Sequence, residues 1–463
     1  MQAVKRSRFH KEREERGNEM SVTMSIIGIL LAFFLMNFLV YKGLNGVITG
    51  VISAAVIIFF SGMPFTESMA SGWGIIGMIM GNMAPILIFG GILAAVYTAS
   101  NATTSLSRVI LKPFGSNPNG NVRRIGTLGM LLLIRVVIGL SGIDNLAVMP
   151  FMVALVVAVF SGIDLPRKYV NCVLMFIGCV GTLIPGVPHQ YVILLQAAMP
   201  EFNNSGNLIV RWLLLIIYIV VGILILNRLM EKDEKNQIHF DPGPLEVPDL
   251  KTEDKTPHWV ITIIPALVVY LLYNFASMEA WVALMLGCIV AIILFYPYFK
   301  KPESKKTRIG SVVNSINTGS FVVPLGIVAA MIVSMVMTGA PGFNVLVDGF
   351  SAIPIPAAFG LMLIAILLTG ATGGATAAIP IVAAIALGKF IPNGMSVQTA
   401  GVIALWSTSV LDTLPNNLGI IMQAELTATP MKEGYPSIFK TTVVLTLAMC
   451  AVVCVVATIG LLG

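Results

Sequence analysis

Charge is scarce in this sequence. Of its 463 residues only 11% are Asp, Glu, Lys or Arg, while 57% are hydrophobic, against roughly a quarter charged in ordinary soluble domains. A water-facing surface for a chain this long cannot be built from that supply, so a soluble globular protein is excluded. The five cysteines (Cys172, Cys179, Cys288, Cys450, Cys454) all fall inside apolar segments, without the spacing of a zinc site or a disulfide framework. No metal site and no cofactor are expected. A cleavable leader is not evident either. The first 20 residues hold six Lys/Arg and four Glu, and no small-residue cleavage site follows the first apolar run. The net charge of +6 is modest and lies in loops, which reads as membrane topology rather than nucleic-acid binding.

What the chain does have is apolar blocks of about twenty residues, the length that crosses roughly 30 Å of hydrocarbon. A β-barrel would show alternating segments of about ten instead. The expected class is an all-α polytopic protein of the cell (inner, cytoplasmic) membrane. After a hydrophilic tail at 1–22, apolar runs occupy about 23–41, 46–62 and 77–99, with an amphipathic stretch near 64–76. A basic loop with Arg108, Lys112, Arg123 and Arg124 leads to a span from about 125, a Gly- and Pro-interrupted region to about 198, and a span at 211–228. Residues 229–257 carry eight acidic residues, four basic ones and four prolines, and read as a solvated cytoplasmic linker. The plan then recurs over 258–463: spans at about 258–275 and 280–298, the basic loop FKKPESKKTR, spans near 320–338 and 352–369, a second Gly/Pro-rich region to about 426, and a last span at 441–462.

The recurrence has a measurable spacing. Pro150 follows Gly142 by eight residues and Pro185 by 43; in the second half Pro380 follows Gly370 by ten and Pro415 by 45. ILLQAAM follows the first break and IIMQAEL the second. We read 23–228 and 258–463 as two repeats, about twelve spanning units in all, each with a re-entrant hairpin (about 141–161 and 369–389) and a broken helix (182–190 and 412–417). Placing the basic loops at 108–124, 162–168, 228–257, 299–308 and 431–440 in the cytoplasm makes the repeats inverted, the plan of many alternating-access carriers. That thread leaves the basic N-terminal tail outside, against the same rule.

Unwound backbone at membrane depth survives only where it is buried or lines a cavity, so the candidate chemistry sits at the hairpins and breaks. The first tip is SGIDN, with Ser141, Gly142 and Asn145 as ligand candidates. The second is TGATGGAT, with Thr369, Thr372, Gly373, Gly374 and Thr376. The breaks TLIPGVPHQ and DTLPNN add Thr182, His189, Gln190, Thr413, Asn416 and Asn417. Half-helix N-termini favour an anionic group, and the hydroxyls, amides and imidazole suit a small polar anion. Small residues also serve close helix packing, so each Gly/Thr cluster has that alternative. Asp144 and Asp412 either carry a proton, lie beside a coupling cation, or cap a half-helix. His189 is a proton relay or a structural donor. Arg135, mid-span before the first hairpin, pairs with Asp144 or draws the anion. His10, His239 and His258 are given no role.

At these strings the chain resembles the gluconate/proton symporter (GntP) family of the ion-transporter superfamily. VLVDGFSAIPIPAAFGLMLIAILLTGATGGATAAIPIVAA is similar to that family's loop, span and second hairpin, IGLSGIDNLAVMPFMVAL to its first hairpin, and TLIPGVPHQ to its Pro-Pro-His-Pro-Gly break. The likeness in plan runs from about residue 23 to the end. It implies uptake of small hydroxy-acids with protons, a homodimer, and a scaffold against which a transport domain moves as an elevator. Two features depart from the family. An Arg usual upstream of the second hairpin is replaced by AILLTG, and Asn416-Asn417 stand near where an Asn-Asp pair is typical. A smaller acid, such as a hydroxybutyrate-like one, fits as well as gluconate.

Function is therefore expected to be secondary transport of a small organic anion, with the bilayer, the anion and a proton (or sodium) as partners and no nucleic acid. A sodium-coupled carboxylate carrier or a cation/proton antiporter is the alternative within transport. A membrane-embedded enzyme using Asp144 and Asp412 is remote, because no Gly-x-Gly-Asp motif or metal cluster accompanies them.

Overall fold

A computed structural model describes residues 2–139, 145–187, 189–245, 247, 250, 255–276, 278–299, 308–320, 332–351 and 354–462. All regular structure among them is helical. The first half holds α1 (Gln2–Tyr41), α2 (Gly46–Ser61), α3 (Phe65–Ala99), α4 (Ala102–Leu111), α5 (Gly120–Gly139), α6 (Asn145–Gly162), α7 (Val170–Leu183), α8 (Gln190–Ala198) and α9 (Leu208–Lys235). The second holds α10 (Trp259–Asn274), α11 (Ala280–Phe295), α12 (Arg308–Ser320), α13 (Ile332–Thr338), α14 (Pro341–Ser351), α15 (Ala357–Thr372), α16 (Ala375–Ile385), α17 (Val397–Thr408), α18 (Leu418–Leu426), α19 (Met431–Ile438) and α20 (Leu445–Thr458). A π-helical segment, Phe439–Val444, joins α19 to α20.

Four of the described helices are long and apolar enough to cross a membrane: Val22–Tyr41, Leu208–Lys235, Trp281–Tyr298 and Met431–Thr458. A fifth is added if Ala84–Ala99 and Ala102–Leu111, bent by 76° at Asn101, count as one span. The other apolar helices are shorter, such as Ala357–Thr372 with 16 residues. At about 1.5 Å per residue a helix of that length falls short of the hydrocarbon core, because Gly, Pro and Asn end it early. Large apolar side chains also lie exposed along single faces of several apolar helices. Ile209, Leu213, Ile216, Val220 and Leu224 do so on α9, and Ile263, Leu267 and Leu271 on α10. Spaced three or four apart, they form stripes far larger in sum than a water-soluble surface sustains. The protein is a helical membrane protein.

The packing partners recur between the halves. Helix α5 packs on α7 and α9 as α15 packs on α17 and α20; α6 lies on α7 as α16 lies on α17. Several pairs cross between halves: α8 packs on α16 and α18 on α6, while α4 meets α10 and α14 meets α1.

Three expectations change. Residues 2–22 are helical and continuous with the first span rather than a separate tail. The stretch at 64–76 and the run at 77–99 form one helix, α3. The segment from 229 is not simply a solvated charge run, because α9 continues to Lys235 and its acids are paired. Glu234 bridges Arg123 and Arg124 at the start of α5, and buried Asp233 meets Lys168 at 2.5 Å and the Tyr169 hydroxyl at 2.8 Å. Arg124, expected in a basic loop, is 2% exposed and also donates to Asn227 and Asn121. His239 pairs with Asp164 at 2.6 Å. The second amphipathic stretch and the span expected near 320–338 are described only at 308–320 and 332–338, and most of FKKPESKKTR lies outside the described residues.

Candidate functional site

The second break begins where α17 ends. A short 3-10 turn, Leu411–Thr413, gives way to extended backbone at Leu414. Pro415 then follows, with no N–H to donate and no room for its predecessor to stay helical. Asn417 caps α18: its Oδ1 accepts from the Gly419 N–H at 2.7 Å and the Ile420 N–H at 3.3 Å.

Asp412 is the meeting point of three elements. Its Oδ1 accepts from the Ala375 N–H at 2.8 Å and from Asn417 Nδ2 at 3.0 Å. Its Oδ2 accepts from the Tyr191 hydroxyl at 2.8 Å. The donors come from the first turn of α16, the cap of α18 and the first turn of α8. The second hairpin and both breaks are therefore tied to one carboxyl group.

The hairpin tip turns at Gly373, whose φ of +73° lies in the left-handed region, where a residue without Cβ is favoured. Thr369 and Thr372 are fully buried, and their hydroxyls donate back along α15 to Ala365 O and Leu368 O, both at 2.8 Å. The reach of those hydroxyls is thus set by the helix. Asn416 Nδ2 donates to Gly370 O at 3.4 Å, and Asn417 Nδ2 also reaches Gly373 O at 3.3 Å. Asn416 Oδ1 is buried and has no hydrogen-bond partner among the described residues. A Cβ at Gly374 would stand 3.6 Å from Asp412 Oδ1, ordinary contact with the same group. Thr413 is buried against Thr442, whose hydroxyl donates to it at 2.9 Å. Thr376 is exposed and takes no part in these bonds.

The first break has the same design. Thr182 bonds back to Cys179 O at 2.8 Å, α7 stops at Leu183, and His189 caps α8. Its Nδ1 accepts from the Tyr191 N–H at 3.3 Å. His189 and Asn417 thus cap two nine-residue helices that follow matching prolines. The His189 ring is 1% exposed, stands edge-on to Tyr191 at 5.2 Å, and leaves Nε2 without a partner among the described residues. The loop after α8 closes over the break: Gly186 N–H donates to Asn204 O at 3.2 Å and Asn204 Nδ2 to Val187 O at 2.7 Å. Arg211, 4% exposed in the first turn of α9, holds Asn204 through both its backbone and side-chain oxygens. Arg135, 2% exposed on α5, lies against α7, and a Cβ at Gly181 would come within 2.5 Å of its Nη2.

No protein-family model matches the chain, and no curated protein matches it. The site is therefore read from its own geometry.

Of the residues expected from the sequence, Asp412, Asn416, Asn417, Gly373 and Gly374 come together, with Thr369, Thr372 and Thr413 packed behind them. Thr182 and His189 lie at the other break. Ser141, Gly142 and Asp144 lie outside the described residues, as do the side chains of Asn145 and Gln190. Among the described residues no group of three His, Cys, Asp or Glu side chains is arranged to hold a metal. Sequence reasoning missed Tyr191, Asn204 and Arg211. The available signal was position: Tyr191 follows the His189 cap by two residues, and Arg211 is a charge inside an apolar run.

Proposed function

We propose that this protein is a secondary active transporter for a small organic anion of the hydroxy-carboxylate type, with a proton as the coupling ion. The observation that carries the reading is the convergence on Asp412 of donors from the second hairpin and both breaks. Irregular backbone at this depth is tolerated only around a cavity or in the protein interior, and paired half-helices are how carriers assemble a site between repeats. The recurring helix pairings support two inverted repeats of about six spanning units each. The resemblance to the gluconate/proton symporter family supports a gluconate-like cargo, a homodimer in the cell inner membrane, and an elevator in which hairpins and breaks move against a scaffold.

The test is uptake of labelled gluconate and 3-hydroxybutyrate by proteoliposomes under an imposed pH gradient, with counterflow as a second readout. Saturable counterflow and acceleration by an inward proton gradient are expected. Absence of both, for every short organic acid tried, would sink the reading.

Sodium coupling has one observation in its favour. Asn416 Oδ1 is a buried acceptor without a donor among the described residues, beside the Gly370 carbonyl, and hard cations take such oxygen ligands. Uptake that follows a sodium gradient and ignores the pH gradient selects this version.

A further inference from the structure

We propose that Asn204 and Arg211 are positioning residues of the transport site: they patch the backbone of the first break from outside and hold α8 where the Tyr191 hydroxyl meets Asp412. This rests on the transporter reading above.

The break leaves polar backbone to be satisfied. Pro185 has no N–H, and Gly186 turns with a φ of +81°, in the left-handed region that suits a residue without Cβ. The Gly186 N–H donates to Asn204 O at 3.2 Å, and Asn204 Nδ2 donates back to Val187 O at 2.7 Å. One residue of the loop after α8 thus gives the unwound chain both an acceptor and a donor. The second break is served from within. There the amides of Asn416 and Asn417 donate to Gly370 O and Gly373 O. The first break instead depends on an element beyond α8.

Asn204 is fixed in turn by Arg211. The guanidinium donates to Asn204 O, to Asn204 Oδ1 at 3.0 Å and to Gly206 O at 3.4 Å, and its Cζ lies 6.0 Å from the centre of the Phe202 ring. Arg211 is nearly inaccessible, and among the described residues its partners are carbonyl oxygens, with no carboxylate. A buried cation without a counter-charge costs stability, and a neutral amide would hold Asn204 at less cost. What a neutral amide lacks is a planar fork that takes two oxygens of one residue at once. The charge therefore serves geometry. The loop is also docked on the other half: buried Phe202 fills the space that a Cβ at Gly401 of α17 would need, and Gly206 lies against Gln398. From Arg211 the path runs through Asn204 to Val187, along α8 to Tyr191, and across to Asp412 Oδ2 at 2.8 Å.

Asn204→Asp separates positioning from folding. Its carboxylate keeps the bond to Arg211 and gives that cation a counter-charge, but it removes the donor to Val187 O. That oxygen is not orphaned, because it still accepts from the His189 N–H at 2.8 Å. The full-length protein is measured in lipid nanodiscs by melting and by hydrogen exchange, and in proteoliposomes by gluconate uptake. The melting temperature is expected to be retained. Exchange should quicken in α8 and at the Ala375 amide, which bonds Asp412. The KM for gluconate should rise about 2- to 10-fold, as for one neutral hydrogen bond, with the maximal rate retained. Arg211→Lys keeps the charge without the fork and should change exchange and KM in the same way; it carries the test if Asn204→Asp fails to fold. Added to Tyr191→Phe, Asn204→Asp should raise KM no further, because both act on one path. Wild-type exchange and KM in folded Asn204→Asp overturn the proposal, as does a full additional rise in KM in the Tyr191→Phe background. The exchange measurement needs no substrate. A wild-type protein that carries no organic acid therefore overturns the transporter reading, while faster exchange in the variants still upholds the clamp on α8.

Discussion

Asn417 does two jobs that substitution can separate. Its Oδ1 caps α18 through two backbone N–H groups, and its Nδ2 donates to Asp412 and to Gly373 O. Loss of a cap costs about 1 kcal/mol. Loss of a hydrogen bond to a charged group costs about 1.5–3 kcal/mol, and a neutral one about 0.5–1.5 kcal/mol. Asn417→Ala gives up all three, about 3–5.5 kcal/mol if they add, an upper figure for bonds that share one side chain. Asn417→Ser keeps an oxygen suited to the cap and gives up only the amide donor. Melting of the full-length protein, at one scan rate because unfolding of such chains is commonly irreversible, should rank wild type above Ser and Ser above Ala. Under the proposed function, organic-acid uptake should rank differently. Both variants lose the donor that positions Asp412, so both should fall well below wild type and lie close together. The reasoning fails if Ser and Ala melt alike while both transport at the wild-type rate, because neither the cap nor the amide would then matter.

Two further outcomes test contacts outside the hairpins. Glu234→Gln removes the carboxylate from Arg123 and from nearly inaccessible Arg124. Because one partner is buried, the loss should reach about 1–3 kcal/mol rather than the fraction typical of exposed pairs. It should change little between low and high salt, and a variant that melts like wild type in both would refute the pairing. Asp164, in the turn after α6, has its pKa below the ordinary 3.8. Partial burial alone would raise it, but hydrogen bonds from the Phe240 N–H and His239 outweigh that. A carboxyl lowered in the folded state contributes fully above its unfolded pKa and loses that contribution as pH falls through the folded one. Hydrogen-exchange protection of the Phe240 amide, corrected for intrinsic rate, should therefore hold from neutrality down to the unfolded carboxyl value of about 3.9 and fade progressively as pH falls through the lowered folded one. Loss of protection well above about pH 4 would refute control by Asp164.

The sequence was informative wherever local chemistry decides structure. Proline ends a helix and Asn or His can cap the next one, and in the structure helices stop before Pro185 and Pro415 and restart at the caps His189 and Asn417. Gly373 marked the hairpin turn because few other residues adopt its backbone. Span counting served less well. Hydropathy averages over about twenty residues and cannot see the bend at Asn101 or the stop at Thr372, so several apolar blocks are helices too short to cross alone. Pairings between distant positions left no local trace. Nothing near Arg124 announces Glu234, 110 residues later, and Tyr191 looks like any aromatic residue on an apolar helix until α8 is packed against α16.

That last contact changes what the repeat means. Matched spacings say which segments correspond, but they do not say which segments touch. In the structure the broken-helix segment of each half packs on the hairpin helix of the other, α8 on α16 and α18 on α6. Tyr191 from the first half therefore completes the hydrogen bonding of Asp412 from the second. A site built this way does not belong to either repeat. A substitution that breaks the Tyr191–Asp412 bond should therefore loosen the tie between the halves rather than the fold of one repeat.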